Sequence, residues 1–328
     1  MRSRMRASTA SAAVALVFLF ALSPSPARAC SVCQAGDPIY STGAATGLEE
    51  GAYSAYLELQ GWRKTSGLLI EEAAEPPEEG REVNKSQSLT LFLSGTPIDR
   101  FTFTIALPWR FNTITEEPAG LDSQTNHLNG FGDASLTLGY VLWRDREVLP
   151  GNWVEARLFG KAPTGPNDRT TKGVLDPHLE PGTGSWDWGT GVSGGHRFDW
   201  GTFYASALWR FNQPGALQYE YGDVGLVNLA VQAPIGHLLQ QPIFDFLTAS
   251  FEFNYRYAER DRYVGQTYQD SGGSVFYVTP SVRIRLPWFE SWKAPSLRLA
   301  ALCPLGDEQL YGQQHEGIVW SSGLLFHS

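Results

Sequence analysis

Three groups of residues have types and spacings that could do chemistry. Gly191, Ser193 and Gly195, inside "GTGSWDWGTGVSGG", make the Gly-x-Ser-x-Gly pattern of a hydrolase nucleophile elbow. Cys30 and Cys33, in "CSVCQAGDPIY", set two thiols three positions apart. The third group is charge at alternate positions of aromatic-rich segments, such as Arg110 in "FTFTIALPWRFN" and Glu252 and Arg256 in "LTASFEFNYRY". A serine of the first kind attacks acyl carbons. Thiols of the second kind form a disulfide or hold a soft metal. Charges of the third kind bind or steer ions. The elements that carry each group decide between these.

The N-terminus reads as a targeting segment. Arg2, Arg4 and Arg6 precede "AAVALVFLFAL", an apolar run too short to stay in a membrane as a helix, and "ARA" at positions 27–29 supplies a small-x-small cleavage signal before Cys30. Removing residues 1–29 takes four arginines away and moves the formal charge from −9 to −13. So acidic a chain is a poor partner for nucleic acid. The expected organisation is a signal peptide over 1–29, a periplasmic segment carrying the cysteines over 30–50, and one further domain over 51–328.

That domain alternates with period two, and no helical period persists for three turns. Strands are expected near 52–64, 86–96, 100–112, 132–144, 152–162, 185–198, 201–212, 223–234, 246–258, 274–286, 296–305 and 317–327. Each is about the 9–11 residues that a tilted strand needs to cross a bilayer. Long polar links follow the odd strands, among them "TSGLLIEEAAEPPEEGREVN" and "PTGPNDRTTKGVLDPHLEPGTG". Mostly short turns such as "PID" and "DW" follow the even ones. A membrane barrel has this asymmetry, with short periplasmic turns and long external loops. In "FTFTIALPWRFN" the odd positions from Phe101 to Phe111 are apolar, and Thr102, Thr104, Arg110 and Asn112 share the other face. A secreted β-sandwich or lipocalin-like barrel would alternate too, with its apolar face inward. The expected fold is therefore an all-β, antiparallel transmembrane barrel of about 12 strands, outer-membrane type. Both termini are expected on the periplasmic side of a Gram-negative outer membrane.

With polar faces turned inward, the pore-lining candidates are Arg110, Glu155, Arg157, Arg210, Glu252, Arg256, Arg283, Arg285 and Arg298. Glu58, Asp133, Lys161 and Asp187 share that face. Basic residues outnumber acidic ones there, which would favour anions in a narrow pore. The opposing reading pairs these charges across the lumen and fills it. Register sets Arg283, Arg285 and Arg298 towards the short-turn end, and Arg110, Arg210 and Arg256 towards the long links.

"GFGDASLTLGYVLWRD" at 130–145, "KAPTG" at 161–165 and "GTGSWDWGTGVSGG" at 182–195 together resemble the phenol meta-pathway outer-membrane barrels, in which Gly-x-Gly-Asp and Pro-Thr-Gly … Gly-Thr-Gly runs recur. The resemblance covers most of the mature chain and implies uptake of small, often hydrophobic or aromatic, compounds. It also bears on Ser193. An elbow serine needs a sharp strand-to-helix turn, whereas Ser193 falls mid-strand with no helix pattern behind it. An outer-membrane phospholipase barrel uses a His-x-Ser pair, and none of the six histidines has a serine two positions on. No enzyme is expected, and no cofactor.

The cysteine segment lies outside the resemblance. Covalent haem is excluded because Gln34, not histidine, follows Cys33. A disulfide, free thiols, a soft-metal or redox role, and lipidation of Cys30 all stay open. The chain thus reads as a channel for small solutes, hydrophobic, aromatic or anionic, with lipid and solute as partners. The alternative is a non-transporting barrel that serves periplasmic redox or metal-handling proteins through its CSVC segment.

Overall fold

The computed structural model describes residues 50–66, 81–117, 122–147, 150–169, 177–269, 271–286, 295–305 and 315–327. Cys30, Cys33 and the expected signal peptide over 1–29 lie outside these residues.

The first strands are β1 (Tyr53–Ser66), β2 (Arg81–Ile98) and β3 (Phe101–Glu117). The fourth stave has two pieces, Gln124–Phe131 and Ala134–Arg144, which together are β4. Then come β5 (Asn152–Ala162), β6 (Asp187–Phe198), β7 (Gly201–Phe211) and β8 (Val224–Pro234). The last four are β9 (Leu247–Ala258), β10 (Gly273–Arg285), β11 (Ser296–Leu305) and β12 (Val319–His327). Each strand runs antiparallel to its neighbour in the chain. β1 closes the cylinder by pairing on both sides, Leu57 lying opposite Leu91 of β2 and Leu324 of β12. The result is a closed 12-stranded barrel with no free edge, and no described helix is long and apolar enough to cross a membrane.

Alternation fixes which way each side chain points. In β9, Phe251 and Phe253 are 46% and 51% exposed, whereas Glu252 and Asn254, at the alternate positions, are fully buried. In β5, Leu158 is exposed while Glu155 and Arg157 are buried. The apolar set is therefore outside and the polar set inside, the reverse of a soluble sandwich or lipocalin. Trp109, Phe131, Tyr140, Trp143, Trp188 and Phe253 stand among the exposed residues of this belt. Water does not tolerate a continuous apolar girdle of this extent on a monomer; lipid does, with aromatic rings suited to its two boundaries.

Three boundaries differ from the sequence expectation. β2 begins at Arg81 rather than near 86, β3 runs to Glu117 rather than 112, and the "QTNHLN" stretch expected in a link is strand. These extensions pair with each other: Thr113 lies opposite His127 and Thr115 opposite Thr125, with side-chain hydrogen bonds of 3.1 and 3.2 Å. A strand standing beyond lipid needs no apolar face, so a search for apolar alternation passes over it. At the opposite end, the links are tight. Asp99 and Arg100 join β2 to β3, and Arg144 Nη2 lies 2.9 Å from Asp99. Asp145 accepts from Gly151 N at 2.8 Å and from Asn152 Nδ2 at 2.9 Å. Hydrogen bonds from Asn152, with that from Gly151, hold its carboxyl below the ordinary aspartate range.

Candidate functional site

The polar faces of twelve strands converge inside the barrel, and the interior divides into two halves. The half lined by β9 to β12 and β1 is filled. Val275, Tyr277, Leu302 and Val319, all essentially unexposed, pack with Trp62 towards the long-link end. Beside them Glu316 takes Arg256 Nη2 at 2.6 Å and Lys64 Nζ at 3.5 Å, and Tyr277 donates its hydroxyl to the same carboxylate. Lower down, Arg298 Nη2 lies 2.9 Å from Glu252 Oε1, and Nη1 lies 3.9 Å from Glu58 Oε1. Ser321 donates to Glu58 at 2.6 Å. A ladder of neutral groups crosses the wall between the charged clusters. Thr279 donates to Asn254 at 2.7 Å, Asn254 to Asn228 at 3.0 Å, and Asn228 to Ser206 at 3.2 Å. Charge taken out of water is tolerable only when paired in this way.

The half lined by β2 to β8 is open. It holds a cavity of about 140 Å³ whose wall includes Arg110, Arg157, Lys161 and Arg210, against two acids, Asp133 and Asp187. Phe92, Phe159, Leu208 and Tyr221 supply apolar wall. Lys161 Nζ is spent on the two acids, at 2.5 Å from Asp187 and 3.4 Å from Asp133. It also donates to Thr183 Oγ1 at 2.5 Å. Arg157 sits 3.4 Å from Glu155, whose carboxylate accepts as well from Thr102 and Ser193.

A knot beside this cavity turns the long link after β5 inward. Asp133 accepts from Gly165 N at 3.1 Å, Thr183 N at 2.8 Å and Thr183 Oγ1 at 2.7 Å. Thr164 bridges the break in β4, donating to Gly132 O and accepting from Ala134 N. Gly165 and Gly182 touch backbone to backbone; a Cβ on Gly165 would meet Gly182 Cα at 2.8 Å, and one on Gly182 would meet Gly165 O at 2.5 Å. The segment so held is anchored further along. Asn112 Nδ2 donates to the carbonyls of Leu179 and Glu180, both buried, and Tyr221 donates to Pro177 O. The Gly-Phe-Gly-Asp, Pro-Thr-Gly and Gly-Thr-Gly runs, scattered over some fifty positions of sequence, thus meet at one place.

Of the nine pore-lining candidates, Arg110, Arg157 and Arg210 border the open cavity, and Glu155 lies behind Arg157. Glu252, Arg256 and Arg298 belong to the filled half. Arg283 lies opposite Arg298 in register but is only half-buried, and Arg285 is exposed. Ser193 is a wall residue, mid-strand in β6, its hydroxyl 3.2 Å from Glu155 Oε2 and its neighbour Val192 facing out. No group of three or more metal-ligating side chains occurs among the described residues. The sequence reading passed over Lys64, Glu316 and Thr183. Lys64 was within its reach, since it shares the parity of Glu58 along β1.

The fold and its inverted polarity define an outer-membrane-type β-barrel. The closed 12-strand architecture is similar to an outer membrane channel from Pseudomonas putida F1, with a TM-score of 0.60 at 14% identity, covering 87% of this chain and 98% of that one. The translocator domain of the autotransporter NalP from Neisseria meningitidis matches with a TM-score of 0.45 and 10% identity, over 97% of each chain. A Pseudomonas aeruginosa FadL homologue matches at 0.40 and 10%, over 92% of this chain and 97% of that one. At such scores these last two add nothing to the argument. No protein-family model and no curated protein sequence matches the chain.

Proposed function

We propose that the protein is a channel of a Gram-negative outer membrane that passes small solutes passively, anions among them, with both termini on the periplasmic side. The observation that carries this reading is the cavity inside a closed barrel, bordered by four basic side chains and two acids, with apolar wall between them. Lys161 and Arg157 are paired there, but among the described residues no carboxylate lies within ion-pair distance of Arg210, and the space between these side chains is not filled. The fold-level similarity to an outer membrane channel agrees with the reading. The meta-pathway resemblance adds small hydrophobic or aromatic compounds as a solute class, and its motifs supply the knot that shapes the cavity.

The direct test is conductance of the refolded protein in planar bilayers. Discrete current steps are expected, with a reversal potential in a salt gradient that favours the anion. A barrel that inserts and melts normally yet passes no current removes the channel reading. Orientation has its own test. Asp168, in the long link after β5, and Asp199, in the tight turn between β6 and β7, are both exposed. Asp168→Cys should react with an impermeant maleimide on intact cells and Asp199→Cys should not; the opposite pattern inverts the barrel.

A further inference from the structure

We propose that the open half of the barrel contains a binding station for a small organic monoanion. The ligand is a carboxylate whose apolar body is about the size of one six-membered ring, and Arg210 is the cation that receives it. The proposal rests on the reading of the interior as a solute path and adds to it a site and a ligand class.

The size comes from the cavity, about 140 Å³. An apolar cavity of about 150 Å³ is known to admit benzene, so one ring fits. The polarity comes from the wall, where Phe92, Phe159, Leu208 and Leu226 stand beside polar groups. The charge comes from asking which cation there is uncommitted. Lys161 is neutralised by Asp133 and Asp187, Arg157 lies against Glu155, and Arg110 is engaged as well. Arg210 differs. Among the described residues no carboxylate reaches its guanidinium within ion-pair distance, and its buried Nε meets no acceptor. Its guanidinium carbon lies 5.9 Å from the centroid of the Phe159 ring. A ring face at that distance is a weak partner for a cation, and the half-buried guanidinium has room for a better one. The planar fork of arginine matches a carboxylate through two parallel hydrogen bonds, with Phe159 placed to meet the apolar body of the same molecule.

The test is calorimetric titration of the refolded full chain in detergent with four probes: benzoate, cyclohexanecarboxylate, benzyl alcohol and acetate. Saturable one-to-one binding of the two ring acids is expected. Acetate lacks the apolar body and benzyl alcohol lacks the charge, and each should bind at least roughly tenfold more weakly. A hydrogen bond to a charged group contributes enough that Arg210→Gln should weaken benzoate binding by roughly 10- to 100-fold, with Arg210→Lys in between. The probe series on the unaltered protein keeps the test valid if Arg210→Gln fails to fold. Absence of saturable binding by both ring acids, equal binding of benzyl alcohol, or undiminished binding by folded Arg210→Gln overturns the proposal. Bilayer current separates the two readings. Current without benzoate binding sinks the station and spares the channel, and binding without current does the reverse.

Discussion

Replacing Arg298 by Gln lowers the unfolding free energy of the barrel by about 3–5 kcal/mol, because it strands buried acids rather than merely deleting a contact. Glu252, fully buried, loses the partner at 2.9 Å, and Glu58, also buried, keeps Ser321 but loses its nearest cation. Urea unfolding from lipid vesicles reads this directly. Arg285→Gln is the control. That residue is exposed near the end of β10, and the change should stay within about 0.5 kcal/mol. A compensating Glu252→Gln in the Arg298→Gln background should recover part of the loss, since the two side chains form one interacting unit. Equal effects at Arg285 and Arg298 would mean that the buried cluster contributes nothing of its own. The arginines that the sequence groups at one end of the pore are, in the folded chain, in three different environments.

Asp133→Ala releases the inturned link. Its carboxylate holds Thr183 through the backbone N–H and the hydroxyl, and Gly165 through its N–H. Hydrogen bonds to a charged acceptor are worth about 1.5–3 kcal/mol each. The two on Thr183 therefore bias the segment by more than about a hundredfold, at 1.4 kcal/mol per factor of ten. Two readouts follow. Channel currents should spend more time at a larger conductance, and trypsin should cut faster at Arg169, which is exposed and donates to Asn129 O in the intact protein. The second readout stands even if the barrel conducts nothing. Unchanged proteolysis with unchanged current would show that Lys161 and Asn112 hold the segment without Asp133.

The strand count, the hand of the alternation and the sorting of short turns from long links were legible because each is local. A period of two can be read in any eight residues, and "LTASFEFNYRY" gives both faces of β9 without knowledge of its neighbours. Pairing is not local. Arg298 meets Glu252 and Glu58 only once β9, β11 and β1 are in register, and nothing near Arg298 in the chain announces either acid. The outer half of β4 was missed for a different reason: Gln124 to Phe131 is mostly polar and pairs beyond the lipid, where an apolar face has no use. The knot was half legible. Its glycines and Asp133 stood out as a recurrent pattern, but that Gly165 and Gly182 touch could not be read from a link of polar residues. Ser193 shows the converse, a motif conspicuous in sequence that the fold turns into wall.

The division of the interior into a filled and an open half has a bearing on how such a protein can change over generations. The ion pairs of Glu316, Glu252 and Glu58 lie along β9 to β12 and β1, away from the cavity. Side chains that border the cavity outside the buried cluster of Leu226 and Leu208, such as Phe92 on β2 and Phe159 on β5, can be exchanged for others of different size or polarity while the braced side stays intact. On the channel reading proposed above, a lineage carrying this architecture can therefore drift from one solute to another by small steps on one wall, with the opposite wall supplying rigidity.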